Sequence, residues 1–197
     1  MNYMIPQKIG LFFGSFNPIH IGHLAIASWF VEFTDIDKVW FVVSPQNPFK
    51  EKKSLLADHH RLAMVRIAVE DDARFQVSDI EFKMPKPSYT IDTLTYLEEK
   101  YPDKKFVLIT GSDQLPTFDK WKNPDRLLDL YQMYVYARPG YPGSKYDNHP
   151  HVKIFNTPHL EISSTFIRQS VKEKKDVRYL LPPKVWEYMR EMHFYEE

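Results

Sequence analysis

Residues 8–23 read KIGLFFGSFNPIHIGH, in which an apolar run ends at a glycine and two histidines follow three residues apart. The run predicts a buried strand, and Gly14 is predicted to let a phosphate chain approach the backbone where that strand ends. His20 and His23 lie about one helical turn apart, so both imidazoles would share one face at a helix N-terminus. Free N–H groups and the helix dipole favour an anion there. The stretch therefore predicts a phosphate-binding site at the end of a parallel strand.

The residues alone leave two other interpretations of the histidine pair open. The imidazoles could ligate zinc, although the chain has no cysteine and His59 and His60 lie in a separate close pair. They could also be ordinary polar residues at a helix start. We favour phosphate binding and expect no metal to be bound directly by protein side chains.

Short apolar runs alternate with helical patterns along the rest of the chain. This alternation predicts a doubly wound α/β fold, with a Rossmann-like parallel sheet, helices on both faces and a single domain over residues 1–197. Strands are predicted at residues 9–13, 39–43, 75–77, 106–110, 134–137 and 152–155, and helices at about 23–33, 58–70, 90–100, 126–130 and 183–192. The Pro- and Gly-rich stretch 138–145 is predicted to be a surface loop.

Composition narrows the class of protein. The 197 residues carry 26 basic and 26 acidic side chains, which argues against a nucleic-acid-binding protein that works by broad phosphate neutralisation. The absence of cysteine makes the cytoplasm the default location, and the sequence predicts neither a signal peptide nor a membrane span. A homo-oligomer stays a candidate only because symmetric dimers are common.

A second anion site is predicted near the other end of the chain. Residues 161–168 read EISSTFIR, where serine and threonine hydroxyls precede a helix and Arg168 follows one turn later. A guanidinium fork suits phosphate oxygens, although such hydroxyls taken alone are most often only a helix cap. About 140 residues separate this stretch from His23, and a doubly wound fold must bring the two helix ends together. Residues from about 151 to 197 are therefore expected to complete the first site.

Two loops between these motifs are candidates for an acceptor pocket. Residues 88–93 read SYTIDT and lead into a helix whose exposed N–H groups could hold a carboxylate. Gly111 and Asp113 follow a strand and suit ribose hydroxyls, while the Trp121 indole could stack on a flat ring. Asp113 could instead be a loop cap, and Trp121 could be a core residue.

The first and last motifs resemble the HxGH and ISSTxIR signatures of the nucleotidyltransferase superfamily. Together with SYTIDT and the GxDxLxxFxxW pattern of residues 111–121, they resemble the nicotinate-nucleotide adenylyltransferase family along nearly the whole chain. The resemblance implies that ATP and nicotinate mononucleotide react to give deamido-NAD and pyrophosphate, with Mg²⁺ bound mainly through the ATP phosphates.

The resemblance also implies the roles of individual residues. The implied catalytic residues are His20, His23, Lys50 and Arg168. The implied ATP-binding residues are Gly14, Ser15, Phe16, His20, His23, Gly111, Asp113, Ile162, Ser164, Thr165 and Arg168. The implied residues of the acceptor site are Asn17, Lys50, Ser88, Tyr89, Thr90, Trp121 and Lys122.

Two departures from the family pattern bear on the acceptor. Ser15 and Asn17 stand where bacterial members commonly have threonine and aspartate, a variant closer to enzymes that also accept nicotinamide mononucleotide. Phe49 replaces a histidine next to Lys50. A nicotinamide mononucleotide or phosphopantetheine adenylyltransferase, or a nucleotide-binding sensor without turnover, therefore remains an alternative. Intact His20, His23 and Arg168 favour an enzyme over the sensor.

Overall fold

Six parallel strands form the centre of the molecule in the computed structural model, which describes residues 6–45 and 55–196. The strands are β1 (Gln7–Gly14), β2 (Lys38–Val43), β3 (Phe75–Ser78), β4 (Lys104–Gly111), β5 (Gln132–Tyr136) and β6 (Val152–Phe155). Their order across the sheet is β3-β2-β1-β4-β5-β6, and every neighbouring pair is parallel. The predicted doubly wound parallel sheet is confirmed.

The order of the strands places a crevice at one end of the sheet. The chain moves outward from β1 through β2 to β3, then returns to place β4 on the other side of β1. The connections leave opposite faces of the sheet at this switch point and open a crevice at the carboxyl ends of β1 and β4. Gly14 and Gly111 end these two strands, so the first motif and the GxDxL segment meet at that crevice.

Two apolar cores cover the two faces of the sheet. The helices are α1 (Ile21–Phe33), α2 (Asp58–Val69), α3 (Thr90–Lys100), α4 (Pro124–Leu130), α5 (Ser164–Lys172) and α6 (Pro183–Glu191). Side chains of α1, α2, α5 and α6 join one core, and those of α3 and α4 join the other. Within the described ranges, no helix is both long and apolar enough to cross a membrane.

The observed elements differ from the prediction mainly at their ends. Strand β5 begins two residues earlier than predicted and leaves Ala137 outside, and α1 begins at Ile21 with His20 as its N-cap. Three 3₁₀ segments in the described ranges, Ile80–Lys83, Ser112–Lys120 and Arg178–Leu180, were not predicted because they are too short or too irregular to show helical periodicity. Pro116, which has no N–H to donate, lies inside the longest one.

Candidate active site

A cleft of about 1180 Å³ opens at the switch point between β1 and β4. Its walls come from the turn after β1, the N-termini of α1, α3 and α5, and the segments that follow β4 and β5. Every predicted site residue that the structure describes lines this cleft. Lys50, which the resemblance placed in both the catalytic and the acceptor sets, lies outside the described residues.

The turn after β1 is shaped by an aromatic side chain. Phe16 has a φ of 44°, in the left-handed region that costs a non-glycine residue on the order of 1–2 kcal/mol. Its buried ring packs against Phe12 and Phe41, which offsets this cost. A Cβ atom on Gly14 would lie 2.8 Å from the Phe16 ring. Glycine is therefore required at position 14 to seat the Phe16 ring, a reason that the sequence did not reveal.

The two histidines lock each other in place. His20 is the N-cap of α1, and its main-chain N–H donates to His23 Nδ1 at 3.2 Å. The imidazole rings stack with centroids 3.7 Å apart. Because Nδ1 of His23 accepts this bond, the proton of the neutral ring resides on Nε2. The ring of His20 lies 3.1 Å from where a Cβ of Gly22 would stand, so the glycine between the histidines leaves room for the stack.

Burial keeps His20 uncharged. The side chain is 5% exposed, and burial together with the positive charge of Arg138 lowers the pKa of His20 to about 4. Its Nδ1 is buried without a hydrogen-bond partner among the residues that the structure describes. A buried polar atom of this kind is unusual in a native protein and is commonly explained by a ligand or water that completes its hydrogen bonding. His20 is therefore a neutral imidazole with unused hydrogen-bonding capacity.

The N-terminus of α5 is joined to the turn after β1. Ser163 caps the helix by accepting the N–H of Phe166 at 3.1 Å. The Ser164 hydroxyl donates to the Pro18 carbonyl at 2.8 Å, although 146 residues separate them. The structure thus brings the first and last motifs together, as the fold prediction required.

Arg168 contacts both the turn after β1 and the N-terminus of α5. One Nη donates to the Asn17 carbonyl at 2.8 Å, and the other donates to Thr165 Oγ1 at 3.3 Å. The side chain of Asn17 is buried, and its Oδ1 accepts the Tyr195 hydroxyl at 2.7 Å. Arg168 and Asn17 therefore hold the shape of the turn in addition to any contact with a ligand.

A cation that the sequence did not single out stands opposite, after β5. Arg138 Nε lies 3.0 Å from Asp113 Oδ1, and its Nη2 donates to the Tyr136 hydroxyl at 3.0 Å. A Cβ on Gly111 would collide with the Asp113 carboxylate and with Arg138. Arg138 is correctly predicted to lie at the start of a loop, but it lines the cleft. Only the fold, which places β5 beside β4, reveals this.

At the far end of the cleft, the predicted acceptor residues gather around two rings. Trp121 packs against Phe118, with 5.2 Å between ring centroids. Lys122 Nζ lies 2.7 Å from Asp92 Oδ2 and 4.9 Å from the centroid of the Tyr89 ring. Ser88 and Thr90 line the same wall, at the start of α3. The charge of Lys122 is thus already paired with a carboxylate.

Arg61 is the second residue that sequence reasoning missed. It is 0% exposed, yet every one of its five N–H donors is used. Four of these bonds end on main-chain carbonyls, those of Ser15, Ser44, Pro45 and Leu56, at 2.6–3.1 Å, and the fifth ends on Asp58 at 2.6 Å. Arg61 therefore fastens the turn after β1 to the segment after β2. An arginine in an amphipathic helix pattern gives no signal of such a role.

Comparisons with known proteins identify the family to which the chain belongs. The family model described as cytidylyltransferase-like matches residues 11–170. The chain is 52% identical over 189 residues to a probable nicotinate-nucleotide adenylyltransferase of Cytophaga hutchinsonii, which covers 96% of this chain and 98% of that protein. It is 50% identical over 193 residues to the protein of the same name from Flavobacterium johnsoniae, covering 97% of this chain and 100% of that one.

Solved structures agree on the fold. The Plasmodium falciparum nicotinic acid mononucleotide adenylyltransferase complexed with NaAD superposes with a TM-score of 0.80, covering 96% of this chain and 98% of that chain. The sequence identity is 20%, so this likeness bears on the fold alone.

Proposed function

Since the chain belongs to the nicotinate-nucleotide adenylyltransferase family, within the cytidylyltransferase-like group, we propose that it transfers AMP from ATP to nicotinate mononucleotide, giving deamido-NAD and pyrophosphate. The observation that carries this proposal is the junction of the His20–His23 pair with the N-terminus of α5 in one cleft. Two helix N-termini and two imidazole donors converge there, as a polyphosphate requires.

The acceptor needs no general base. The second pKa of a phosphate monoester is about 6, so the 5′-phosphate of the mononucleotide is largely dianionic at neutral pH. One of its oxygens attacks the α-phosphorus of ATP in line, and the bond from that phosphorus to the oxygen bridging the β-phosphate breaks. Pyrophosphate leaves with the electron pair. The protein contributes positioning and charge stabilisation.

The turn after β1 and the N-terminus of α5 form the phosphate end of the cleft, where a few groups share this work. The imidazoles of His20 and His23 donate hydrogen bonds to the α- and β-phosphates. Arg168 places its guanidinium on the leaving pyrophosphate, while Ser164 and Thr165 present the N-terminus of α5. Because the pKa of His20 is about 4, it acts as a neutral hydrogen-bond donor rather than as an acid. Mg²⁺ bound to the ATP phosphates would supply further positive charge to the polyphosphate.

The other groups bind the two nucleosides. Gly111 and Asp113 lie along the ribose of ATP, and Arg138 holds the Asp113 carboxylate in place. The pyridine ring stacks on Trp121, and its carboxylate meets the N–H groups at the start of α3 near Thr90. The whole chain works as one nucleotidyltransferase domain in the cytoplasm.

The test is pyrophosphate release from MgATP with purified protein and one acceptor per reaction. We expect release with nicotinate mononucleotide to exceed release with nicotinamide mononucleotide or phosphopantetheine, with the dinucleotide identified by mass. Equal rates with both pyridine mononucleotides would establish dual specificity. Preference for phosphopantetheine, or ATP binding without turnover of any acceptor, would refute the proposal.

A further inference from the structure

A buried carboxylate lies at the acceptor end of the cleft and has no part in the reaction proposed above. Glu81 belongs to the 3₁₀ segment Ile80–Lys83 and is only 3% exposed, yet it contributes to the cleft wall. Burial of an ionisable group with so little access to water is costly unless partners compensate it. Glu81 therefore does not serve solubility, as an exposed carboxylate would, and its burial indicates another role.

Hydroxyl groups from separate segments compensate this carboxylate. Thr93 Oγ1 donates to Glu81 Oε1 at 2.9 Å. Burial is the larger influence and raises the pKa of Glu81, although the hydroxyls of Ser44, Thr93 and Ser88 act in the opposite direction. Hydroxyl donors that surround one carboxyl group stabilise its ionised form.

The partners of Glu81 are distributed in a way that suggests its role. Ser44 follows β2, Ser88 begins the acceptor loop, and Thr93 lies in the first turns of α3. Thr93 is completely buried, so within the SYTIDT motif its hydroxyl serves the protein interior. Thr93 Oγ1 also lies 3.2 Å from the Tyr89 carbonyl, so Glu81 is tied through Thr93 both to the helix and to the loop that precedes it.

We propose that Glu81 is a positioning residue that holds the Ser88–Thr90 loop and thereby sets the affinity for the pyridine mononucleotide. This inference rests on the proposed function for the identity of the ligand. The ATP end of the cleft is held by other contacts, those of Ser164, Arg168 and Arg61. Loss of Glu81 should therefore affect one substrate and spare the other.

The direct test is Glu81→Gln, which keeps the shape but replaces one acceptor oxygen with an N–H donor. Because misplacement of a binding loop is costly, we expect KM for nicotinate mononucleotide to rise about tenfold. We expect KM for ATP to stay within about twofold. Thr93→Val removes the hydroxyl that contacts Glu81 but leaves the carboxyl group in place, and it should shift the same KM by a smaller factor.

Thr95→Val is the matched control on the same helix. The Thr95 hydroxyl donates to the Ile91 carbonyl at 3.0 Å, and the residue is exposed. This variant should leave both KM values unchanged. A parallel rise of both KM values in Glu81→Gln, or a lower melting temperature with neither KM changed, would overturn the positioning role.

Hydrogen exchange of the unliganded protein separates this inference from the proposed function. We expect the amides of residues 88–93 to exchange about tenfold faster in Glu81→Gln than in the natural chain, with α5 unchanged. Unchanged exchange in the loop would refute the inference even if the reaction is as proposed. Faster exchange in a protein that does not use nicotinate mononucleotide would uphold the tether and refute only the assigned reaction.

Discussion

The two ends of the cleft are built from different kinds of contact. At the phosphate end, most hydrogen bonds that brace the turn after β1 run from side chains to main-chain carbonyls, as in Ser164 to Pro18, Arg168 to Asn17 and Arg61 to Ser15. At the acceptor end, side chains hold side chains, as in Thr93 with Glu81 and Lys122 with Asp92. The first arrangement fixes a backbone shape that suits any polyphosphate. The second depends on individual side chains, so single substitutions can retune the acceptor.

The largest effect should come from the phosphate end. His20→Ala removes one donor from the developing charge, and loss of such a donor typically lowers kcat on the order of a hundredfold. We expect kcat in the pyrophosphate assay to fall by this factor while KM for the mononucleotide changes little. His59→Ala, on the exposed side of α2, is the control. A fall in acceptor affinity alone would show that the two ends are not separable.

At the acceptor end we expect a smaller effect, which changes KM for the mononucleotide rather than kcat. Stacking of an aromatic ring on a base contributes about 1–3 kcal/mol, so Trp121→Ala should raise KM for nicotinate mononucleotide about tenfold or more. The KM for ATP should remain near its natural value, and Trp121→Phe should restore much of the affinity. The comparison between the two ends fails if Trp121→Ala raises KM for ATP by the same factor.

The smallest effect should be electrostatic and confined to the phosphate end. Arg138→Met removes a positive charge that helps to lower the pKa of His20 to about 4. We expect that pKa to rise but to stay below 6.5, because burial is the larger cause. NMR titration of the His20 ring protons measures the shift, and an unchanged pKa would place the Arg138 charge too far away to matter.

The lowered pKa of His20 also makes the stability of the folded protein depend on pH. The unfolded chain takes up the His20 proton at its ordinary pKa, above that of the folded state, so His20 lowers stability as the pH falls from about 6.5 towards 4. Because Arg138→Met raises the pKa of His20 in the folded protein, it shortens the pH range over which His20 lowers stability. Urea unfolding at pH 7 and pH 5 should therefore show a smaller pH-dependent loss in Arg138→Met.

The sequence predicted which main-chain segments form the site better than it predicted the side-chain contacts that hold them together. The apolar runs and the helices between them predicted a doubly wound parallel sheet, and that fold led us to expect residues 8–23 beside residues 161–168, where the structure places them. Arg61, Glu81 and Arg138 were missed because each acts through contacts between segments distant in sequence. Local patterns carry no trace of such contacts. The role of Gly14 in the approach of a phosphate chain stays a prediction, whereas the Phe16 ring that demands a glycine there becomes visible only in three dimensions.

The hydroxyl of Tyr195 reaches Asn17 across 178 positions of sequence. During synthesis on the ribosome, β1 and its turn are made well before the residues that brace this turn, Ser164, Arg168 and Tyr195. The nascent chain therefore acquires the braced cleft only after these later residues have emerged. Substrates can stabilise chains that include the bracing residues but not shorter fragments, so binding distinguishes the two.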